Sequence, residues 1–348
     1  MKILFAAPIT YDRITLFISD YFSGLARASI RAGHDVRVVK TTENMYNPFI
    51  PRKLTNAYTA FRNRFKAVVD FPHDILLGTQ LLREVEYFKP DLVIMHFIDT
   101  TYLDFFVKKI RQNGTKVLFW LGVHPDYVSE GIRRVLQEVG TVLYYDPEYT
   151  SFFKNELGIN HISRLPLACE IEKFDRIHVD SHNSMKDRVD ICFVGFIDKY
   201  REEILHALTE FKLGIWSWNF NGLDSNLKPF YKGAASGDAM IEIFKSSKIV
   251  VNAHRLFEKS GGNYRLFEIC GASAFQLVDC RPGLAEYFVD GKEIVTFSSL
   301  DDLRQKVIYY LENDIERQRI AIAGYQRVCR DHTFANRMKK IIDIAREH

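Results

Sequence analysis

No run of apolar residues in this 348-residue sequence approaches the roughly 18–20 that span a bilayer. Cysteine is scarce: Cys169, Cys192, Cys270, Cys280 and Cys329 are odd in number, scattered and without metal-ligand spacing. That pattern excludes a disulfide scaffold or a zinc ribbon. It fits thiols used as small core residues in a reducing compartment, the cytoplasm. Excess charge is missing too. The 47 Lys and Arg against 44 Asp and Glu leave +3, too little to announce a nucleic-acid binder. The opening "MKILFAAPIT" has no small-residue cleavage site and reads as a first strand rather than a signal peptide.

Several chemical signatures are also absent. No G-x-G-x-x-G follows the first apolar run, which argues against a classical nicotinamide or flavin site. There is no G-x-x-x-x-G-K-[ST], so the chain is not a P-loop NTPase, and no G-x-S-x-G nucleophile elbow. An Asp-x-Asp pair, which would hold a divalent metal against a diphosphate, is missing as well. No metal site is expected.

What is present is alternation. The sequence is 47% hydrophobic and 26% charged, as in a globular protein, and its length suits two domains. "KILFAAP", a helical pattern over 16–32 and "AGHDVRVVK" form a strand–helix–strand unit. The pattern continues through "KPDLVIMHF" (89–97), "NGTKVLFWLG" (113–122) and "GTVLYYD" (140–146), with helices predicted at 101–112 and 127–138. It restarts at "RVDICFVGFI" (188–197) and runs through helix 200–211, "KLGIWSW" (212–218), helix 237–246, "SKIVVNAH" (247–254), helix 263–270 and "SAFQLVD" (273–279). The fold class is therefore α/β, with two Rossmann-like domains and a ligand cleft facing the carboxyl ends of both sheets. The expected boundaries are 1–169, a polar linker at 170–187, a second domain at 188–330, and a final helical segment at 331–348.

One stretch carries chemistry. "NAHRLFEKSGGNYRLFE" (252–268) places Gly261 and Gly262 between a strand ending at His254 and a helix starting near Asn263. Glycines let backbone approach a ligand, and a helix N-terminus favours an anion. Arg255 and Arg265 lie beside it, and Glu268 is placed to take ribose hydroxyls. The plainer alternative is a strand–loop–helix joint with Glu268 in solvent. In the first half, His96, His124 and Asp126 sit at predicted strand ends, where a histidine can take a hydroxyl proton and a carboxylate can orient it. Each histidine could instead be structural. Trp216 and Trp218 read as core and sheet edge rather than as a base platform. Residues 45–66 are basic and aromatic, and could lie on anionic lipid, grip a phosphorylated acceptor or simply be a surface helix.

The second half resembles the C-terminal domain of GT-B glycosyltransferases, particularly the CgeB-like, spore-maturation-protein-like group. The matching segments are "FVGFIDKYREEIL", "IVVNAHR", "GNYRLFEICGASAFQLVD", "GLAEYFVDGKEIVTFSSLDDLRQKVIYYL" and "RQRIAIAGYQRVCRDHTFANRMKKII", spanning about 188–342. The resemblance implies metal-independent sugar transfer from a nucleotide-sugar, a UDP-sugar by preference, to a glycan, protein, lipid or nucleic-acid hydroxyl, and a final helix (331–348) that returns to the first domain. It implies that Glu268 holds the donor ribose and that Gly195, Lys199 and Arg201 serve the diphosphate. It also implies that Tyr231 to Gly233 line the base pocket. Many retaining members carry a glutamate eight positions before the ribose glutamate; here that position is Ser260, and Glu258 is out of register. A sugar-nucleotide epimerase or hydrolase on this scaffold, or a non-catalytic nucleotide- or glycan-binding relative, remain alternatives.

Overall fold

The computed structural model describes residues 1–7, 16–40, 66–96, 103–122, 124–178, 188–219, 224–256 and 258–347. Two compact units divide the chain: Met1–Pro166 with Phe334–His348, and Leu167–Thr333. Apart from Lys66, where a helix begins, segment 45–66 lies outside the described residues. Among the described residues, no helix is long and apolar enough to cross a membrane.

Unit 1 is a six-stranded parallel sheet ordered β2-β1-β3-β4-β5-β6. Its strands are β1 (Lys2–Ala7), β2 (Asp35–Lys40), β3 (Leu92–Met95), β4 (Lys116–Leu121), β5 (Thr141–Tyr144) and β6 (Ile162–Arg164). Helices α1 (Leu16–Arg31), α2 (Lys66–Phe88), α3 (Leu103–Gln112) and α4 (Glu130–Glu138) alternate with them. The central strands are buried end to end, as Leu92–Met95 shows, because helices cover a parallel sheet on both faces. In α3 the buried Leu103, Phe106, Val107 and Ile110 recur at the helical period and form the core-facing stripe.

Unit 2 is a second six-stranded parallel sheet, ordered β12-β11-β10-β7-β8-β9. Its strands are β7 (Ile191–Val194), β8 (Leu213–Trp216), β9 (Tyr231–Gly233), β10 (Ile249–Asn252), β11 (Gln276–Asp279) and β12 (Val295–Phe297). The interval expected as a linker is not featureless. It opens with the short helix α5 (Ile171–Asp175), whose Phe174 is buried. Lys245 Nζ donates to the carbonyls of Phe174 and Ile177, 2.8 Å each, so this segment is anchored in unit 2. The remaining helices are α6 (Lys199–His206), α7 (Gly237–Ser246), α8 (Tyr264–Gly271), α9 (Leu300–Glu312) and α10 (Asp314–Asp331).

The last helix, α11 (Phe334–Glu347), belongs to unit 1. Phe334 seats against Gly24, where a Cβ would come within 2.4 Å of its ring. Tyr21 meets the same ring edge-on at 5.1 Å, and Arg337 Nε donates to the carbonyl of Pro166 at 2.7 Å. The chain thus leaves unit 1 after Pro166 and re-enters it at Phe334, and the interval expected as a linker, 170–187, falls within unit 2.

Candidate functional site

In an open parallel sheet, ligands gather outside the carboxyl ends of the strands where the order reverses. In unit 2 that point lies between β7 and β10, followed by Gly195 and by Ala253–His254. The loop after β10 leads into α8, capped by Asn263, whose side chain accepts from Leu266 N–H at 2.9 Å. Gly261 and Gly262 take φ values of +95° and +91°, a region that L side chains rarely adopt. Their Cα atoms face protein: a Cβ on Gly261 would sit 2.8 Å from Arg281 Cβ, and one on Gly262 2.7 Å from the Tyr287 ring. The glycines therefore let the loop lie flat on the turn after β11, and this packing requires them whether or not a ligand is near.

Glu268 is buried, with 8% of its side chain exposed, so the solvated alternative does not hold. Arg265, one turn earlier, pairs closely with it through Nη1. The same guanidinium donates from Nε to Val194 O, at the carboxyl end of β7, at 3.1 Å. A charge-assisted hydrogen bond thus holds the carboxylate beside the switch point.

Arg201 is placed differently from the expectation. It is buried, and Nε and Nη2 both donate to Ala253 O while Nη1 donates to Phe196 O at 2.8 Å. It ties the start of α6 to the end of β10, and burial lowers its pKa against the pull of Glu258 and Asp198. Lys199, at the first position of α6, is exposed, and Asp198 caps that helix by accepting from Arg201 N–H. Arg255 lies over the Phe196 ring at 5.3 Å, and its N–H donates to Glu258 Oε2 at 2.7 Å. Glu258 is thereby occupied inside the loop. Ser260 is buried, and its carbonyl accepts from Gly283 N–H at 2.7 Å.

Sequence reasoning missed Asp279, at the end of β11. Its Oδ1 accepts from His254 N–H and faces His254 Nδ1, at 2.9 and 2.7 Å; its Oδ2 accepts from Arg281 Nε at 2.9 Å and from Tyr200 OH at 3.3 Å. Burial would raise this carboxyl, but the His254 hydrogen bond and the Arg281 charge outweigh it and hold the pKa below the ordinary value. Burial and the Asp279 charge push Tyr200 up to about 12. A strand-terminal Asp two residues before an Arg was the available signal. At the sheet edge, Tyr231 OH donates to Ser217 O at 3.0 Å, and Gly233 has φ +112°. Trp216 is half-buried at the end of β8, and Trp218 is exposed just beyond it.

In unit 1 the order reverses between β1 and β3, and His96 follows β3. It is fully buried among Phe22, Phe119 and Trp120, and its Nδ1 lies 2.7 Å from Trp120 O. Burial, opposed by that hydrogen bond, lowers its pKa to about 4. The ring is neutral at pH 7, with Nδ1–H donating, and Nε2 has no hydrogen-bond partner. His124 caps the turn Pro125–Tyr127, accepting from Asp126 N–H at Nδ1 (3.2 Å), with Asp126 Oδ2 3.3 Å from the same nitrogen. Its ring meets Tyr149 edge-on at 5.5 Å. Among the described residues, no three His, Cys, Asp or Glu side chains form a group able to hold a metal ion, and all five cysteines are free thiols.

A family profile described as glycosyl transferase-like matches residues 201–343, from the start of α6 into α11. The spore protein CgeB of Bacillus subtilis is 21% identical over 269 residues, 73% of this chain and 82% of that one. A glycosyltransferase from Rickettsia africae superposes with a TM-score of 0.70 at 11% identity, covering 99% of this chain and 98% of its own. An alpha-glucosyltransferase solved with UDP-glucose and DNA gives 0.69 at 10% identity over 99% of both chains. HepE of Anabaena, solved with UDP-glucose, gives 0.62 at 11% over the whole of both. This chain has the GT-B fold of these glycosyltransferases, and it is similar to CgeB.

Proposed function

We propose that this protein is a glycosyltransferase that moves a sugar from a UDP-sugar to an acceptor hydroxyl without an obligatory metal, and that unit 2 receives the donor. The observation that carries the reading is Glu268. A carboxylate buried on α8 beside the carboxyl end of β7, already paired with a half-exposed Arg265, suits two ribose hydroxyls and an adjacent phosphate. Two structural neighbours were solved with UDP-glucose. Lys199, Arg255 and Arg265 supply positive charge for a leaving diphosphate, the part a metal would otherwise play. Arg201 supports this indirectly, by fixing the backbone of Phe196 and Ala253. Gly195, Tyr231 and Gly233 belong to the same carboxyl edge of the sheet. In unit 1, His124 is the candidate base for the acceptor hydroxyl once its Nδ1–H turns to the Asp126 carboxylate, 3.3 Å away, and leaves the Nε2 lone pair free. Burial makes His96 a poor proton acceptor near pH 7.

UDP titrated calorimetrically into the full-length protein should bind equally well with EDTA present. Glu268→Gln should weaken it roughly 10- to 150-fold, since a hydrogen bond to a charged acceptor contributes about 1.5–3 kcal/mol. Deoxyuridine diphosphate should bind the wild type less well and the variant about as well as UDP does. Equal affinity of wild type and Glu268→Gln for UDP would overturn the assignment. Turnover of a UDP-sugar only in the presence of an acceptor extract distinguishes transfer from hydrolysis or epimerisation.

A further inference from the structure

His254 is completely buried just past β10. Its Nε2 lies 3.1 Å from Gly262 N and 3.4 Å from Asn263 N, and its Nδ1 lies 2.7 Å from Asp279 Oδ1. Backbone amides only donate, so Nε2 must carry the lone pair and Nδ1 the proton, which it gives to the carboxylate. The neutral imidazole therefore takes two N–H groups at the entrance to α8. Without it, both would be left unpaired in a buried loop. A proton on Nε2 would set a donor against two donors, beside the positive end of the helix dipole.

We propose that His254, oriented by Asp279, is a positioning residue for donor binding: its ring holds Gly261–Asn263 in the shape that receives the nucleotide. This rests on the reading of unit 2 as the donor site. The charged and titratable groups around the ring are known from each neighbouring element. Asp279 comes from β11, and Arg281, on Asp279 Oδ2 at 2.8 Å, from the turn after it. Tyr200 and Arg201 come from α6, the latter on the carbonyl next to His254. Arg255 and Glu258 come from the loop itself.

The test uses full-length wild type, His254→Gln, His254→Ala and Asp279→Asn, each titrated with UDP at pH 7.5. Gln offers an uncharged acceptor near the Nε2 position. His254→Ala and Asp279→Asn should bind about tenfold or more weakly than wild type, the equivalent of roughly one or two hydrogen bonds. His254→Gln should restore most of what Ala loses. Amide exchange protection of Gly262 and Asn263, measured without nucleotide, should be retained in His254→Gln and lost in Asp279→Asn. The inference is overturned if His254→Ala binds UDP as tightly as wild type, or if His254→Gln binds no better than His254→Ala. Should His254→Ala not fold, the affinity and exchange protection of His254→Gln against Asp279→Asn decide. A wild type that binds no UDP would sink the donor-site reading, and the exchange data would still decide the loop's dependence on His254.

Discussion

His96 shows how one side chain can set the pH range of a whole unit. Its pKa falls from 6.5 to about 4 on folding, because burial penalises the charged ring. The unfolded chain therefore binds a proton that the folded chain refuses between those two values. Stability from this group is complete above about pH 6.5 and is lost as the pH falls toward 4. The loss should be on the order of 3 kcal/mol at the acid end, since each unit is worth about 1.4 kcal/mol. Urea unfolding at pH 7.5 and pH 4.5 measures it. His96→Asn, which keeps a donor for Trp120 O and does not titrate, should lose stability less steeply over the same interval. An identical pH slope in the variant would place the titration elsewhere. The sequence marks His96 as lying at a strand end, but its aromatic surroundings come from α1 and β4, far away in the chain. The same limit applies to Arg201. Its place after the first strand of unit 2 is legible, whereas its hydrogen bonds to Ala253 O need the β7–β10 pairing to be known.

At the scale of elements, what decides legibility is length and burial. β1, β4, β7, β10 and β11 are short apolar runs between turn residues, and α7 runs Gly237–Ser246, as its periodicity predicts. The edge strands β6, β9 and β12 have three residues each, and nothing local separates them from loop. Their strand character comes from a neighbour's free edge. Glycines show the reverse problem, because local propensity misjudges them. Gly324 lies inside α10, where Ala would ordinarily gain about 1 kcal/mol. Here a Cβ would stand 2.4 Å from the backbone carbonyl oxygen of Glu293 and 3.0 Å from Cys270 Sγ. Gly324→Ala should therefore destabilise, by roughly 1–3 kcal/mol as overpacked sites do, and lower the melting temperature. A rise in melting temperature would mean that α10 can shift away from the Glu293 turn.

For the whole molecule, the two sheets were readable as a repeated alternation of strand and helix. The route of the chain was readable only through the final helix. Phe334, Met338 and Ile341 of α11 are buried in unit 1. A chain truncated after Thr333 would lose this apolar face and leave the Gly24 seat empty. It should be rapidly proteolysed within residues 1–166 while 167–333 survives, as limited digestion followed by mass spectrometry would show. Equal resistance of both parts would mean that α11 adds nothing to the core it covers.

The discontinuity of unit 1 also orders its assembly during synthesis. A ribosome makes the first 166 residues early, yet they wait for α11, which is translated after all of unit 2. Unit 2 is continuous in the chain and can close on itself as soon as Thr333 has left the exit tunnel, since domains generally fold as units. The half that emerges first is thus the half that is finished last. In the interval the surface that Phe334, Met338 and Ile341 will cover stays open to water.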